Sequence, residues 1–146
     1  KRWPGYSELA RRLTAEGFQV WVVGGPGETE AARAIVAAAG PLARDLTNAD
    51  LRQGVLAIAG ADLAASNDSG LMHVAAATGT PTMGIFGPTS PWHWAPLNPL
   101  AAAVQPASLR GVEMPYHSIA KRDDASYIAS IPVSDVWDAV RAVLRP

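Results

Sequence analysis

The chain has no cysteine among its 146 residues. That excludes a disulfide framework, a cysteine-based zinc knuckle and a thiol nucleophile, and it is compatible with a reducing compartment. Charge is also sparse. Charged residues make up 17% of the chain, and 12 basic against 13 acidic side chains leave a formal net charge of -1 at pH 7. Neither a nucleic-acid surface nor a disordered charged tail fits that balance. No apolar run reaches the roughly 18 to 20 residues a helix needs to cross a bilayer. The opening Lys1-Arg2-Trp3-Pro4 does not read as a signal peptide, so a soluble, intracellular protein is expected. Repeats, low-complexity segments and Asp-x-Asp pairs are absent too.

What remains is 49% hydrophobic, enough for one domain with a real core. Apolar runs alternate with amphipathic ones. Tyr6 to Gly17 reads as a helix with a glycine stop, and Phe18 to Val23 as a buried strand. Gly24-Gly25-Pro26-Gly27 then leads into a helix from about Glu28 to Ala39. A strand is expected near Arg44 to Thr47. A helix follows to Ala59, capped by Asn48, with Leu51, Val55, Leu56 and Ile58 facing inward. Next come a strand over Asp62 to Ala65, a helix over Leu71 to Thr78, a strand over Thr82 to Phe86 and a further strand at Ala101 to Val104. Residues 106–128 read as loop, and a closing helix begins at Ile131 to Val136, packing Val136, Trp137, Val140, Val143 and Leu144 inward. Such alternation predicts an α/β fold: a Rossmann-like parallel sheet with helices on both faces and ligands beyond the carboxyl ends of its strands. Because β/α domains rarely open on a helix, a strand, and with it a further domain, is expected ahead of Lys1.

The most polar strand end is Ser66-Asn67-Asp68-Ser69-Gly70-Leu71-Met72-His73. Asp68 is a preferred N-cap residue, and Ser69, Gly70 and Leu71 would then hold the first helical N–H groups, which lack partners inside the helix. Free N–H groups and the positive end of the helix dipole attract anions, so a phosphate or pyrophosphate is the expected guest. The competing reading makes Asp68 a plain cap and His73 a satisfied half-buried side chain.

Two other stretches carry candidate chemistry. Gly25-x-Gly27 begins a dinucleotide fingerprint, but Glu30 stands where its third glycine belongs. Glu28 and Glu30 suit a helix start while repelling a pyrophosphate. Either they only stabilise that start or they bind hydroxyls such as those of a ribose. Gly87-Pro88-Thr89-Ser90-Pro91-Trp92-His93-Trp94 leaves a strand end with two indoles and an imidazole. These rings either stack on a base or sugar or close over the core.

Four segments taken in order resemble the carboxyl-terminal half of the ADP-heptose:lipopolysaccharide heptosyltransferases. They are Lys1-Arg2-Trp3-Pro4, Val23 to Glu28, Asn67 to Pro81 and Phe86 to Pro91, with a weaker return at Tyr127 to Val133. The resemblance implies one half of a GT-B architecture, a carboxyl-terminal donor-binding domain covering residues 1–146. It implies that Lys1 meets a donor phosphate and that Glu28, with Glu30 as the second candidate, bonds the ribose. Backbone N–H groups of Ser69, Gly70 and Leu71 would hold the diphosphate, and Asp68 would contact sugar hydroxyls with His73 nearby. The acceptor, the lipopolysaccharide inner core, and the carboxylate base would belong to the amino-terminal half, which this sequence does not contain. No catalytic residue is therefore expected in this chain. A cytoplasmic place at the inner face of the inner membrane, with peripheral membrane contact, is implied as well. One departure is Pro115-Tyr116-His117, which stands where some members carry cysteine-containing segments.

Inverting transfer needs a base on the acceptor and charge stabilisation for the departing diphosphate. A lysine and a helix N-terminus can supply the second, so donor binding without a metal or other cofactor is expected. Three rivals are a transferase of another nucleoside-diphosphate sugar, a nucleotide-dependent oxidoreductase, disfavoured by Glu30, and a non-catalytic nucleotide-binding module.

Overall fold

The computed structural model describes residues 2–112 and 125–144. Lys1 and the Pro115-Tyr116-His117 segment lie outside the described residues. The chain divides into two units, Gly5–Ala57 and Ile58–Pro146 together with Lys1–Pro4.

In the first unit, α1 (Tyr6–Ala15) ends where the Gly17 backbone turns left-handed at φ 90°. That conformation lets Phe18 N–H bond back to Leu13 O at 3.1 Å and reverse the chain. Strand β1 (Val20–Val22) pairs in parallel with β2 (Ala43–Asp45), Val20 opposite Ala43 and Val22 opposite Asp45. Between them Pro26–Glu28 forms a single 3-10 turn and α2 spans Thr29–Ala39. Ala10, Ala39 and Ala43 form the buried centre, with Val20, Ile35 and Val36 packed against it. Side chains this small let α1 approach α2 closely enough for Thr14 Oγ1 to donate to Ala39 O at 2.9 Å.

The local expectations need three corrections here. Strand β1 is shorter than Phe18 to Val23, and Trp21 is 42% exposed rather than buried. Helix α3 (Leu51–Ala59) is capped by Asp50, whose Oδ1 accepts from Gln53 N at 2.8 Å, and not by Asn48. Its apolar face is also different: Ile58 is buried, whereas Leu51 and Leu56 are 76% and 61% exposed. At about 100° per residue, Leu56 lies on nearly the opposite side of the helix from Ile58, so both cannot face one core.

In the second unit, β3 (Ala64–Asn67), β4 (Thr82–Ile85) and β5 (Ala101–Val104) form a parallel sheet in that order. Ala64 is opposite Thr82, and Thr82 opposite Ala101. All four β4 residues are buried, as a central strand of a parallel sheet requires. Helix α4 (Gly70–Ala77) packs on β3 and β4, and α7 (Val133–Leu144) packs on β4 and β5 through fully buried Val136 and Val140. Trp137, Val143 and Leu144 are only half-buried, and Trp137 also carries Arg141 over its ring at 6.0 Å. The expected α/β fold with parallel strands is thus present, its strands joined in ladders of two and three.

Short helices replace parts of two expected loops. Helix α5 (Pro91–Trp94) follows β4, a 3-10 turn spans Ala107–Leu109, and α6 (Ser126–Ala129) precedes α7. Strand β3 also starts two residues later than Asp62, at the point where Ala64 N–H first meets Pro81 O at 2.8 Å.

Candidate functional site

All three strands of the second unit run the same way, so their carboxyl ends share one edge, and β3 delivers Asn67, Asp68 and Ser69 there. The ladder does not stop at Asn67, because Asp68 N–H still bonds Ile85 O at 3.2 Å. That bond carries the ladder one residue past β3, and the helix begins only at Gly70. Ser69, at φ -156° and ψ 168°, is therefore the N-cap residue in place of Asp68, and its side chain makes no capping bond. Ser69 Oγ instead lies 3.1 Å from Ser66 Oγ.

Two consequences follow for the donors and acceptors at this edge. Met72 N–H reaches Ser69 O at 3.2 Å, but among the described residues Ser69, Gly70 and Leu71 N–H have no acceptor. The half-buried Asp68 carboxylate, relieved of capping, likewise accepts no bond there. A methyl added at Gly70 would meet no atom within 4 Å. Ser69 and Gly70 are exposed, Leu71 is half-buried, and His73 is exposed on the same helix.

The edge is held firmly from below. Gly84, on β4, admits no side chain, because a Cβ would stand 2.7 Å from the Phe86 ring and 2.8 Å from Met72 Sδ. Met72 belongs to the first turn of α4 and is fully buried, so it locks the helix start onto the sheet. At the far end Gly79, at φ 81°, closes α4: its N–H bonds Ala76 O at 3.2 Å and Thr80 N–H bonds Ala75 O at 3.1 Å. Asn67 contributes an unforeseen contact, its Oδ1 accepting from Trp3 N at 3.0 Å. Trp3 is 1% exposed and its indole donates to Ile131 O at 3.0 Å, so the segment just after Lys1 is anchored beside the polar turn. A polar residue closing a strand was visible in the sequence, but its partner, 64 residues away, was not.

In the first unit, Glu28 ends the 3-10 turn and is exposed. Its N–H bonds Gly25 O at 2.9 Å and its Oε2 accepts from Gly25 N at 3.0 Å, so the carboxylate folds back over its own turn. Glu30 is exposed in the first turn of α2. Behind them, Thr47 donates its N–H and its hydroxyl to Asp45 Oδ1 at 2.8 and 2.7 Å and lies 3.2 Å from Thr29 Oγ1. These bonds, with the charge of Arg33, hold the Asp45 carboxyl below its ordinary range.

Amides without acceptors among the described residues, at a helix start beyond a strand's carboxyl end, are the kind of place where α/β proteins receive anions such as phosphate. Comparison narrows the field. The chain belongs to glycosyltransferase family 9 (heptosyltransferase), which it matches over residues 1–117. It is 39% identical over 132 residues to lipopolysaccharide heptosyltransferase 2 of Salmonella typhimurium, covering 86% of this chain and 36% of that protein. The Escherichia coli protein of the same name matches with the same identity and coverage. The solved structure of E. coli ADP-heptose lps heptosyltransferase II is similar with a TM-score of 0.80 and 34% identity, over 99% of this chain and 42% of that one. E. coli heptosyltransferase WaaC with ADP shares the fold at a TM-score of 0.78 and 22% identity, over 98% of this chain and 40% of that one. The chain thus spans little more than a third of the curated relatives' length.

Proposed function

We propose that this chain is the donor-binding, carboxyl-terminal half of a GT-B glycosyltransferase that moves heptose from an ADP-heptose-like nucleotide-sugar to the lipopolysaccharide inner core. The observation that carries the reading is the pairing at the end of β3 of three amides and one carboxylate that have no hydrogen-bond partner among the described residues. Amides suit the diphosphate. A carboxylate beside a diphosphate is repelled by it unless it accepts hydrogen bonds, and sugar hydroxyls supply them. Asp68 is accordingly assigned to the donor sugar, with His73 nearby, and Lys1 to a phosphate. Glu28 is assigned to the ribose, a role that would exchange its bond to Gly25 N–H for one to a hydroxyl.

Charge stabilisation of the leaving diphosphate by amides and Lys1 calls for no divalent ion, and the absence of Asp-x-Asp supports donor binding without one. Transfer is inverting, the acceptor and the base belong to the other half of the enzyme, and the site of action is the cytoplasmic face of the inner membrane. No described helix is long and apolar enough to cross a membrane, so the contact proposed there is peripheral. Calorimetric titration with ADP, UDP and GDP, each with and without EDTA, tests the reading. Preference for ADP, unchanged by EDTA, is expected. Preference for another nucleotide moves the chain to a different donor, and strict dependence on a divalent ion overturns the metal-free assignment.

A further inference from the structure

The loop leaving β4 reaches the same sheet edge as the amides beyond β3, and its most prominent side chain is left in water. Trp92 is 90% exposed, although a Trp ring is among the largest apolar surfaces a residue can bury. Loop disorder does not explain this exposure, because the backbone beneath the ring is fixed. Phe86 N–H extends the ladder to Val104 O at 2.8 Å, Pro88 is fully buried, and Gly87 packs on Ile128. Ser90, 2% exposed, caps α5: its Oγ accepts from Trp92 N at 3.2 Å and its carbonyl from His93 N and Trp94 N at 3.2 and 3.1 Å. The return of the chain is tied down by Asn98 Nδ2, which donates to Thr80 O at 3.0 Å. A bare indole on a rigid mount offers a large contact area at small cost in conformational freedom, which is the form of a binding platform.

We propose that Trp92 is a stacking platform for a pyranose ring at this edge, an inference that rests on the glycosyl-transfer reading above. A pyranose is amphipathic in the required sense, with axial C–H bonds on one face and hydroxyls round the rim. One open indole face takes the C–H side and leaves the rim hydroxyls to water or to neighbouring polar groups. A nucleobase also stacks on open aromatic rings, so titration with ADP alone separates it from the pyranose. The pyranose can come from the donor or from the acceptor glycan, and the experiment separates them.

The test follows the indole N–H resonances of the five tryptophans in the nitrogen-15-labelled chain, Trp92 being identified by loss of its signal in Trp92→Phe. ADP, ADP-heptose and a heptose-containing inner-core oligosaccharide are titrated separately. A shift of the Trp92 signal with ADP-heptose but not ADP assigns the platform to the donor sugar; a shift with the oligosaccharide assigns it to the acceptor. In either case Trp92→Ala is expected to weaken that ligand about threefold to tenfold, with Trp92→Phe recovering most of the loss and ADP affinity unchanged. If neither sugar moves the Trp92 signal while the Gly70 and Leu71 amides respond to ADP, the platform is overturned and the donor-site reading stands. If ADP alone moves it fully, the ring meets the base and the proposal falls. If no resonance responds to ADP or ADP-heptose, the donor-site reading fails and takes the platform with it.

Discussion

The backbone N–H of Trp3 donates to the side-chain oxygen of Asn67 at 3.0 Å, joining the start of the chain to the residue that ends β3. Asn67 immediately precedes Asp68, and Trp3 follows Lys1 by two residues, so one hydrogen bond couples two stretches assigned to the donor. Asn67→Ala leaves Trp3 N–H, part-buried, without its acceptor, and is expected to cost about 1–3 kcal/mol of stability. ADP affinity should fall as well, and the fall should not add to that of Lys1→Ala, because both act on the same segment. Chemical denaturation and calorimetry on the single and double variants check both points; strict additivity would uncouple Asn67 from Lys1.

Asp68 makes no capping bond, so its removal has little folding consequence. Asp68→Ala should change stability by less than about 0.5 kcal/mol, well short of the roughly 1 kcal/mol lost with a true cap. In the full-length enzyme it should cost turnover heavily while leaving ADP affinity within a few-fold. A cap-sized loss of stability with normal turnover would return Asp68 to a structural role.

Much of this was legible in the residues, and the parts that were not have physical causes. Helices α1 and α2 and the end of α4 were marked by glycines, and Gly17, Gly40 and Gly79 do adopt φ of 90°, 78° and 81°. The amides at the start of α4 could be located because the strand, polar turn and small-residue helix are contiguous in sequence. Misplacing the cap on Asp68 reflects a competition that sequence does not display: the ladder bond to Ile85 O depends on where β4 pairs, 17 residues on. The same applies to Leu56, exposed because the buried face of α3 is set at Ile58. Helix α5, at four residues, is too short to show any periodicity in the sequence. Its only local signal was Ser90 before Pro91, an N-cap followed by proline at the first helical position.

Two glycines should fail for different reasons. Gly79→Ala has free space around it but a left-handed backbone, so it should cost about 1–2 kcal/mol through conformation alone. Gly84→Ala drives a methyl into Phe86 and Met72, both fully buried, and should cost roughly 1–3 kcal/mol by overpacking. Because Met72 lies in the first turn of α4, Gly84→Ala should also weaken ADP binding, whereas Gly79→Ala should not. Equal effects of the two on ADP affinity would show that the helix start is not held by this contact.

Stability should fall in acid, in part through Asp45. Its carboxylate is favoured by the Thr47 hydroxyl, then by the Thr47 N–H, with Arg33 adding attraction, so its folded pKa lies below the ordinary 3.8. A depressed carboxyl contributes stability above its unfolded value and loses it as pH falls from there through the folded value. The urea midpoint of the wild type should therefore exceed that of Asp45→Asn at neutral pH, and the gap should narrow below about pH 4. Glu8, pulled to about 2 by Arg11 and Arg12, acts in the same direction. Working in high salt screens those exposed pairs and isolates Asp45. A gap that does not change between pH 7 and pH 3 would contradict the assignment.

The central claim is that the free amides of Ser69, Gly70 and Leu71 receive a diphosphate, and backbone amide NMR of the chain during titration with ADP, and separately with adenosine, tests it most directly. ADP should shift these three amides more than any others in the unit Ile58–Pro146, and adenosine should leave them nearly unmoved. Saturable ADP binding that leaves all three resonances in place would contradict the account.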